Sequence, residues 1–115
     1  MTGWHLLSVG YDRILMRSRS LVLREAGFQV DEAYNVLGAL GLVKADSIDV
    51  LVLCHTLSKD DRRRLIHGAR EARRRLPILC ITRQAHDLPE AGCVAVENDP
   101  AELVKCLRQE LDEGS

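Results

Sequence analysis

The sequence has few aromatic residues, few prolines and no long apolar run. Aromatic residues account for 3% of the 115 positions (Trp4, Tyr11, Phe28 and Tyr34), and three residues are proline. The core must therefore be built from aliphatic side chains, and the composition excludes a proline-rich or low-complexity chain. Because no apolar stretch reaches the roughly 20 residues of a membrane-spanning helix, we expect no membrane association.

Neither sign of charge dominates the chain. Sixteen Lys and Arg residues face 17 Asp and Glu residues, which gives a net charge of −1. A chain this close to neutrality lacks the strong field that attracts nucleic acids or anionic membranes. Its hydrophobic fraction of 46% is typical of a soluble globular protein. The length suffices for one core, so we predict a single domain over residues 1–115.

Targeting signals and cysteine patterns are also missing. The first residues, Met1-Thr-Gly-Trp-His5, have neither the basic nor the apolar region of a signal peptide. The four cysteines have no short spacing typical of a disulfide framework or a zinc site; they are Cys54, Cys80, Cys93 and Cys106. We therefore expect reduced thiols in a cytoplasmic protein that binds no metal and no cofactor.

Short β-favouring runs alternate with segments of helical periodicity along the chain. Several of the runs are apolar on both faces, which is typical of strands buried in a parallel sheet. The predicted strands are His5–Val9, Gln29–Ala33, Val50–Cys54, Ile78–Ile81 and Val94–Val96.

Four helices are predicted from capping residues and apolar spacing. They run from Arg13 to about Ala26, from Val36 to Lys44, from Ser58 or Lys59 to Leu76, and onward from Asp99-Pro100. Asp12, Asn35 and Asp99 are typical helix caps, and Gly27 is a typical stop. The predicted buried faces comprise Ile14, Leu15, Leu21 and Val22 in the first helix, Leu65, Ala69, Ala72 and Leu76 in the third, and Leu103, Val104, Leu107 and Leu111 in the last.

This alternation of strands and helices predicts an α/β protein, a three-layer sandwich around a five-stranded parallel sheet. Ligands of such sheets bind at the carboxyl ends of the strands. A functional pocket should therefore be bordered by Gly10-Tyr11-Asp12, Cys54-His55-Thr56 and Thr82-Arg83.

Several segments resemble one family in order and spacing. These are Leu6-Leu-Ser-Val-Gly10-Tyr-Asp-Arg-Ile-Leu15, Leu23-Arg-Glu-Ala-Gly27-Phe-Gln-Val-Asp-Glu-Ala33, Ala39-Leu40, Asp49-Val-Leu-Val-Leu53 and Leu76-Pro-Ile-Leu-Cys-Ile-Thr82. Together they resemble the receiver domains of two-component response regulators over nearly the whole chain. The resemblance implies a flavodoxin-like fold with strand order 2-1-3-4-5. The segment between Thr82 and Val96 is short for that family, so its fourth helix should be shortened or missing.

The resemblance also implies phosphoryl transfer from a histidine kinase to an aspartate, with Mg²⁺ held by neighbouring acids. At the corresponding positions most of that set is replaced. Gly10 and Tyr11 stand at the acidic pair, which leaves Asp12, and Cys54 stands at the phosphoacceptor. Thr82 matches the family's hydroxyl, whereas Val96, or Glu97 in a shifted alignment, replaces its lysine.

These departures predict a degenerate, or pseudo-, receiver with no catalytic residue and no metal site. One carboxylate holds Mg²⁺ poorly, and a thiol is a soft ligand. We favour a structural role for Asp12 as a helix cap and for Cys54 as an inert core thiol, and Thr82 has the alternative role of a strand residue.

The third predicted helix is rich in arginine. Half of the 16 positive charges lie between Lys59 and Leu76. A solvated helix face is the ordinary explanation, and an acidic protein partner is the functional one. The candidate partner-binding residues are Arg62, Arg63, Arg70 and Arg74, with Lys105 and Arg108 on the last helix.

We therefore predict a stand-alone receiver-like domain in bacterial two-component (phosphorelay) signalling. It is not an enzyme; it acts through protein–protein contacts, independently of phosphorylation. The expected partner is another signalling protein, either a histidine kinase or a downstream regulator, and homodimerisation is an open alternative. A thiol-based redox sensor at Cys54 and a nucleic-acid accessory using the arginine-rich helix are the alternative functions, although we do not expect nucleic acid as a partner.

Overall fold

A computed structural model of the chain describes residues 3–45, 48–82 and 93–113. Strands and helices alternate along it, as the sequence pattern predicts. In chain order they are β1 (His5–Val9), α1 (Arg13–Glu25), β2 (Gln29–Ala33), α2 (Val36–Ala45), β3 (Val50–Leu53), α3 (Lys59–Ala72), β4 (Ile78–Thr82), β5 (Val94–Glu97) and α4 (Pro100–Glu113).

The five strands form one parallel sheet in the order β2-β1-β3-β4-β5. This confirms the predicted α/β class and the strand order 2-1-3-4-5. The predicted shortening or loss of a helix after β4 concerns residues 83–92, which lie outside the described part of the chain. No helix in the described ranges is long and apolar enough to span a bilayer.

Two apolar layers cover the two faces of the sheet. On one face, residues of α2 and α3 such as Val43 and Leu65 pack on Leu7, Val9 and Leu51. On the other face, Leu23 of α1 and the leucines of α4 pack on the opposite side of the same strands. The predicted seam of α4, Leu103, Leu107 and Leu111, is buried as expected. Helices α1 and α4 therefore share one face of the molecule, and α2 and α3 share the other.

The prediction of which residues form the buried face of α1 is wrong. Ile14 is 82% exposed and Leu21 59% exposed, whereas the buried residues of this helix are Met16, Arg19, Ser20 and Leu23. A polar side chain can replace an apolar one on a buried face when it finds hydrogen-bond partners. Ser20 does so by donating to the Glu32 carboxylate of β2. The partners of Arg19 are described below.

Helix α3 ends at Ala72 rather than at the predicted Leu76. Arg73 is extended, with φ −147° and ψ 102°, and the proline at position 77 disfavours helical geometry at the residue before it. The Arg70 guanidinium donates to the carbonyl oxygens of Arg74 and Leu76 and so stabilises this turn. Ala72, predicted to be buried, is exposed.

Gly27 adopts a left-handed backbone at the end of α1, with φ 103°. Its amide donates to Arg24 O, and the Phe28 amide donates to Leu23 O, which closes the helix and directs the chain into β2. Only glycine adopts this conformation without a steric penalty.

We expect Gly27→Ala to lower the free energy of unfolding by about 1 kcal/mol, because the added Cβ strains the left-handed residue. The matched control is Gly41→Ala within α2, where an added Cβ meets no atom within 4 Å. That control should be neutral or stabilising by up to about 1 kcal/mol. Urea unfolding followed by circular dichroism measures both values, and equal effects of the two substitutions would contradict the assignment.

Candidate functional site

The carboxyl ends of β1 and β3 meet at one edge of the sheet. The Cys54 amide donates to Val9 O at 2.8 Å, and the Tyr11 amide donates to the Thr56 hydroxyl at 3.1 Å. The predicted border segments Gly10-Tyr11-Asp12 and Cys54-His55-Thr56 therefore lie side by side. This edge is where parallel α/β sheets place their ligands.

Gly10 allows the two strand ends to approach each other closely. A Cβ at position 10 would lie 2.6 Å from Cys54 Cβ and 3.0 Å from Met16 Sδ. Carbon atoms in contact are normally about 3.5–4.0 Å apart, so a side chain here requires the surrounding structure to shift. The structure thus leaves no room at this position for the carboxylate that the family resemblance implies.

Asp12 caps helix α1. Its Oδ1 accepts a hydrogen bond from the Leu15 amide at 3.0 Å, and the residue is exposed. Its role as a helix cap is therefore sufficient to explain an aspartate at this position. Across the described ranges, no three His, Cys, Asp or Glu side chains are grouped in a way that could hold a metal ion.

Cys54 contacts a buried arginine. The thiol is 0% exposed, and its Sγ accepts a hydrogen bond from Arg19 Nη1 at 3.3 Å. The other terminal nitrogen, Arg19 Nη2, donates to Asn98 Oδ1 at 3.0 Å. Asn98 follows β5, and its Nδ2 lies 3.3 Å from His55 Nε2. Arg19 thus connects the ends of β3 and β5 at this edge of the sheet.

The charge of Arg19 is the main electrostatic feature of this site. The residue is 6% exposed, and no carboxylate in the described part of the chain forms an ion pair with it. Its hydrogen-bond acceptors are a thiol sulfur and a neutral amide. An unpaired buried charge costs several kcal/mol, so this arrangement is not one that stability alone favours.

The neighbouring Ser20 fixes the orientation of α1 and hence of Arg19. Glu32 accepts hydrogen bonds from Ser20 Oγ and, at 2.6 Å, from Tyr34 Oη. Burial acts to raise the pKa of Glu32, but these two hydrogen bonds and the charges of Arg24 and Arg17 outweigh it and lower the pKa overall. An ionised Glu32 therefore holds the buried face of α1 against β2.

The other predicted pocket residues have structural contacts. Thr82 is buried, and its hydroxyl donates to Val96 O at 3.3 Å. Val96 is buried in the apolar layer beneath α4. It does not belong to the group of contacting side chains Arg19, Cys54, Asn98 and His55, which we call the Arg19 cluster. From β5, it is Asn98 that reaches the pocket.

The predicted basic residues lie on two separate surfaces. Arg62, Arg63, Arg70 and Arg74 belong to α3 and the turn after it, whereas Lys105 and Arg108 belong to α4 on the opposite face of the sheet. Arg63 and Arg74 are exposed, but Arg70 is engaged with backbone carbonyl oxygens of its own turn. The structure does not bring the six residues together.

The residues present do not fit Mg²⁺. This ion demands octahedral coordination by hard oxygen ligands. The pocket offers instead Gly10, a tyrosine, a capping aspartate and a buried thiol. The Arg19 guanidinium beside Cys54 would in addition repel a cation.

Sequence analysis missed Arg19 and Asn98. A signal for Arg19 exists, since it lies three residues after Met16 and four before Leu23 and so falls on their helical face. Burial of an arginine at that position depends on acceptors from β3 and β5, which no local pattern reveals.

Solved structures of receiver domains closely resemble this fold. A chain described as a response regulator from Chloroflexus aurantiacus J-10-fl superposes with a TM-score of 0.85 at 29% identity, covering 96% of this chain and 99% of that one. A response regulator receiver protein from Sinorhizobium medicae WSM419 gives 0.82 at 21% identity, covering 98% of both chains.

A third similar structure holds a metal ion. It is the receiver domain of a sensor histidine kinase from Pseudomonas aeruginosa PAO1, with magnesium coordinated in its active site cleft; the TM-score is 0.82 at 19% identity, covering 99% of this chain and all of that one. No protein-family model and no curated protein matches the sequence. The chain thus has the fold of response regulator receiver domains.

The Arg19–Cys54 contact can be tested with a double-mutant cycle. Cys54→Asp places a carboxylate beside the guanidinium, so we expect it to be tolerated far better with Arg19 present than in an Arg19→Gln background. The coupling free energy should be about 2 kcal/mol or more in urea unfolding. Arg17→Gln, an exposed position on the same helix, is the matched control and should couple by less than about 0.5 kcal/mol. Additive effects of the Arg19 and Cys54 substitutions would contradict the contact.

Proposed function

We propose that this protein is a receiver-like module of two-component signalling that acts through protein–protein contacts, without metal-dependent phosphorylation. The similarity to receiver structures supports the signalling role. The buried Arg19 guanidinium at Cys54 supports the altered mechanism. The proposed partner is another signalling protein, either a histidine kinase or a downstream regulator.

The Arg19 cluster carries the proposal for a chemical reason. Phosphorylation of a carboxylate needs a nucleophilic oxygen and a cation that neutralises the phosphoryl group. Here the acceptor position holds a thiol, and the nearby cation is an arginine bonded to that thiol and to Asn98. The site is thus held in one arrangement by internal contacts, and we expect no enzymatic activity.

A surface on α1 supports protein binding. Ile14 and Leu21 are seven residues apart, so they lie on one face of the helix, and both are exposed. Exposed apolar side chains grouped on a surface favour protein contacts. Lys105 and Arg108 of α4 lie on the same side of the sheet and are exposed, which gives this side of the molecule a mixed apolar and basic character.

The two alternative functions have less support. A redox sensor at Cys54 requires an accessible thiol, but this sulfur is fully buried beneath the Arg19 contact. A nucleic-acid accessory requires the basic residues of α3 to be available, but Arg70 is engaged with its own turn and Arg64 lies 3.9 Å from Asp61.

The absence of metal-dependent phosphorylation is tested by NMR. Addition of Mg²⁺ with beryllofluoride, or with acetyl phosphate, should leave the amide resonances of residues 10–12, 54–56 and 82 unchanged. A receiver domain that binds Mg²⁺, treated in parallel, shows that the reagents are active. Saturable shifts centred on Cys54 and Thr82 would overturn the proposal.

The α1 surface is tested with charge substitutions. Ile14→Glu combined with Leu21→Glu should leave the free energy of unfolding within about 1 kcal/mol of wild type, because both side chains are solvent-exposed. The variant should lose at least tenfold in affinity for the signalling partner, measured by pull-down from the native cells followed by calorimetry.

Leu37→Glu is the matched control for this surface. Leu37 is 84% exposed and lies on α2, on the opposite face of the molecule. Its substitution should leave partner binding unchanged. Equal losses in the α1 and α2 variants, or binding that survives the double substitution, would contradict the assignment of the surface.

A further inference from the structure

Two cysteines on neighbouring strands lie close enough to form a bond. The Cys80 thiol donates a hydrogen bond to Cys93 Sγ, and the two sulfur atoms are 2.8 Å apart. Cys80 lies within β4, and Cys93 directly precedes β5. A disulfide bond brings its sulfur atoms to about 2.05 Å, so less than 1 Å of further approach is needed.

The sheet register accounts for this proximity. Cys80 pairs with Ala95 across the parallel ladder, and Cys93 precedes Ala95 by two positions. Since side chains alternate between the faces of a strand, Cys80 and Cys93 point to the same face. Both contact the apolar layer formed with α2 and α3.

Their exposure differs in a way that suits stepwise oxidation. Cys80 is 1% exposed and belongs to the core, whereas Cys93 is only partly buried. An oxidant can thus reach Cys93 first, and Cys80 is then positioned to resolve the oxidised sulfur.

We propose that Cys80 and Cys93 form a reversible intramolecular disulfide when the protein meets a hydroperoxide. The Cys93 thiolate attacks the peroxide oxygen, the O–O bond breaks, and a sulfenic acid forms as an alcohol leaves. The Cys80 thiolate then attacks that sulfur, so the S–S bond forms, the S–O bond breaks and water leaves. Two thiols and one hydroperoxide give one disulfide, one alcohol and one water, with two electrons passing to the peroxide.

The crosslink would join β4 to β5, and Asn98, which bonds to Arg19 at the candidate site, directly follows β5. It closes a loop between positions 13 apart in the sequence. A loop of that length restricts the unfolded chain appreciably, so oxidation should raise stability. The site is independent of the proposed signalling function, because it involves neither Cys54 nor the α1 surface.

Peptide mapping tests the disulfide on the whole protein. The reduced protein is treated with tert-butyl hydroperoxide, blocked with iodoacetamide in guanidinium chloride so that buried thiols also react, and digested with trypsin without reductant. Cys80 falls in the tryptic peptide 76–83 and Cys93 in peptide 84–105. We expect these two peptides to be linked, two hydrogens lighter than their sum and separated by dithiothreitol.

The other two cysteines are internal controls. Cys54 is fully buried, and burial, followed by the carboxylates of Glu110 and Glu102, raises the pKa of the Cys106 thiol. Both should carry the iodoacetamide label after oxidation. Carbamidomethylation of Cys80 and Cys93 in the oxidised sample, or linkage of Cys93 to Cys54 or Cys106, would overturn the proposal.

A stability measurement adds a second readout. Oxidation of the wild-type protein should raise Tm by roughly 5–15 °C. Cys93→Ser, a conservative change at the partly exposed position, should abolish the rise, whereas Cys106→Ser should retain it. A fall in Tm of the crosslinked protein would show that the native fold does not accommodate the bond and would contradict the proposal.

Discussion

The arrangement at the carboxyl edge depends on one buried cation. Arg19 lies on the buried face of α1, and its guanidinium connects Cys54 at the end of β3 with Asn98 after β5. No carboxylate of residues 3–45, 48–82 or 93–113 pairs with this buried charge, which opposes both folding and the entry of a second cation. One solved structure with this fold coordinates magnesium in its active site cleft, and we propose that in this chain the charge of Arg19 replaces an environment for metal ions with one that excludes them. The altered mechanism that we propose follows from that replacement.

Two neighbouring residues, Gly10 and Ser20, help to place Cys54 and the guanidinium in contact. Gly10 lets β1 approach Cys54 so closely that a side chain at position 10 would collide with it. Ser20, held by Glu32, fixes the rotation of α1 that directs its neighbour Arg19 inward. That same rotation turns Ile14 and Leu21 out to solvent. The buried Arg19 contact and the exposed apolar surface are thus two consequences of one helix orientation.

Much of the fold could be predicted from local patterns. The strand runs, the caps Asp12 and Asn35 and the stop at Gly27 reflect interactions between residues close in sequence, and the structure retains them. The end of α3 also has local causes, Pro77 and the bond from Arg70 to the carbonyl of Leu76, which the helical spacing of apolar residues does not register. The buried face of α1 could not be predicted locally, because it depends on acceptors that β2 and the residues after β3 and β5 supply. Hydrophobicity alone favoured Ile14 and Leu21, since periodicity cannot register that a polar residue will be satisfied by distant partners.

The sequence by itself determined the class of the fold, because alternating periodicity is a local property, and it showed that Gly10, Tyr11 and Cys54 carry no carboxylate. The tertiary structure decided what surrounds these residues. Arg19 and Cys54 are 35 positions apart, Arg19 and Asn98 are 79 apart, and the thiols of Cys80 and Cys93 meet through the pairing of β4 with β5. Contacts of this kind arise from strand order and helix rotation, which bring together residues that no spacing along the chain connects.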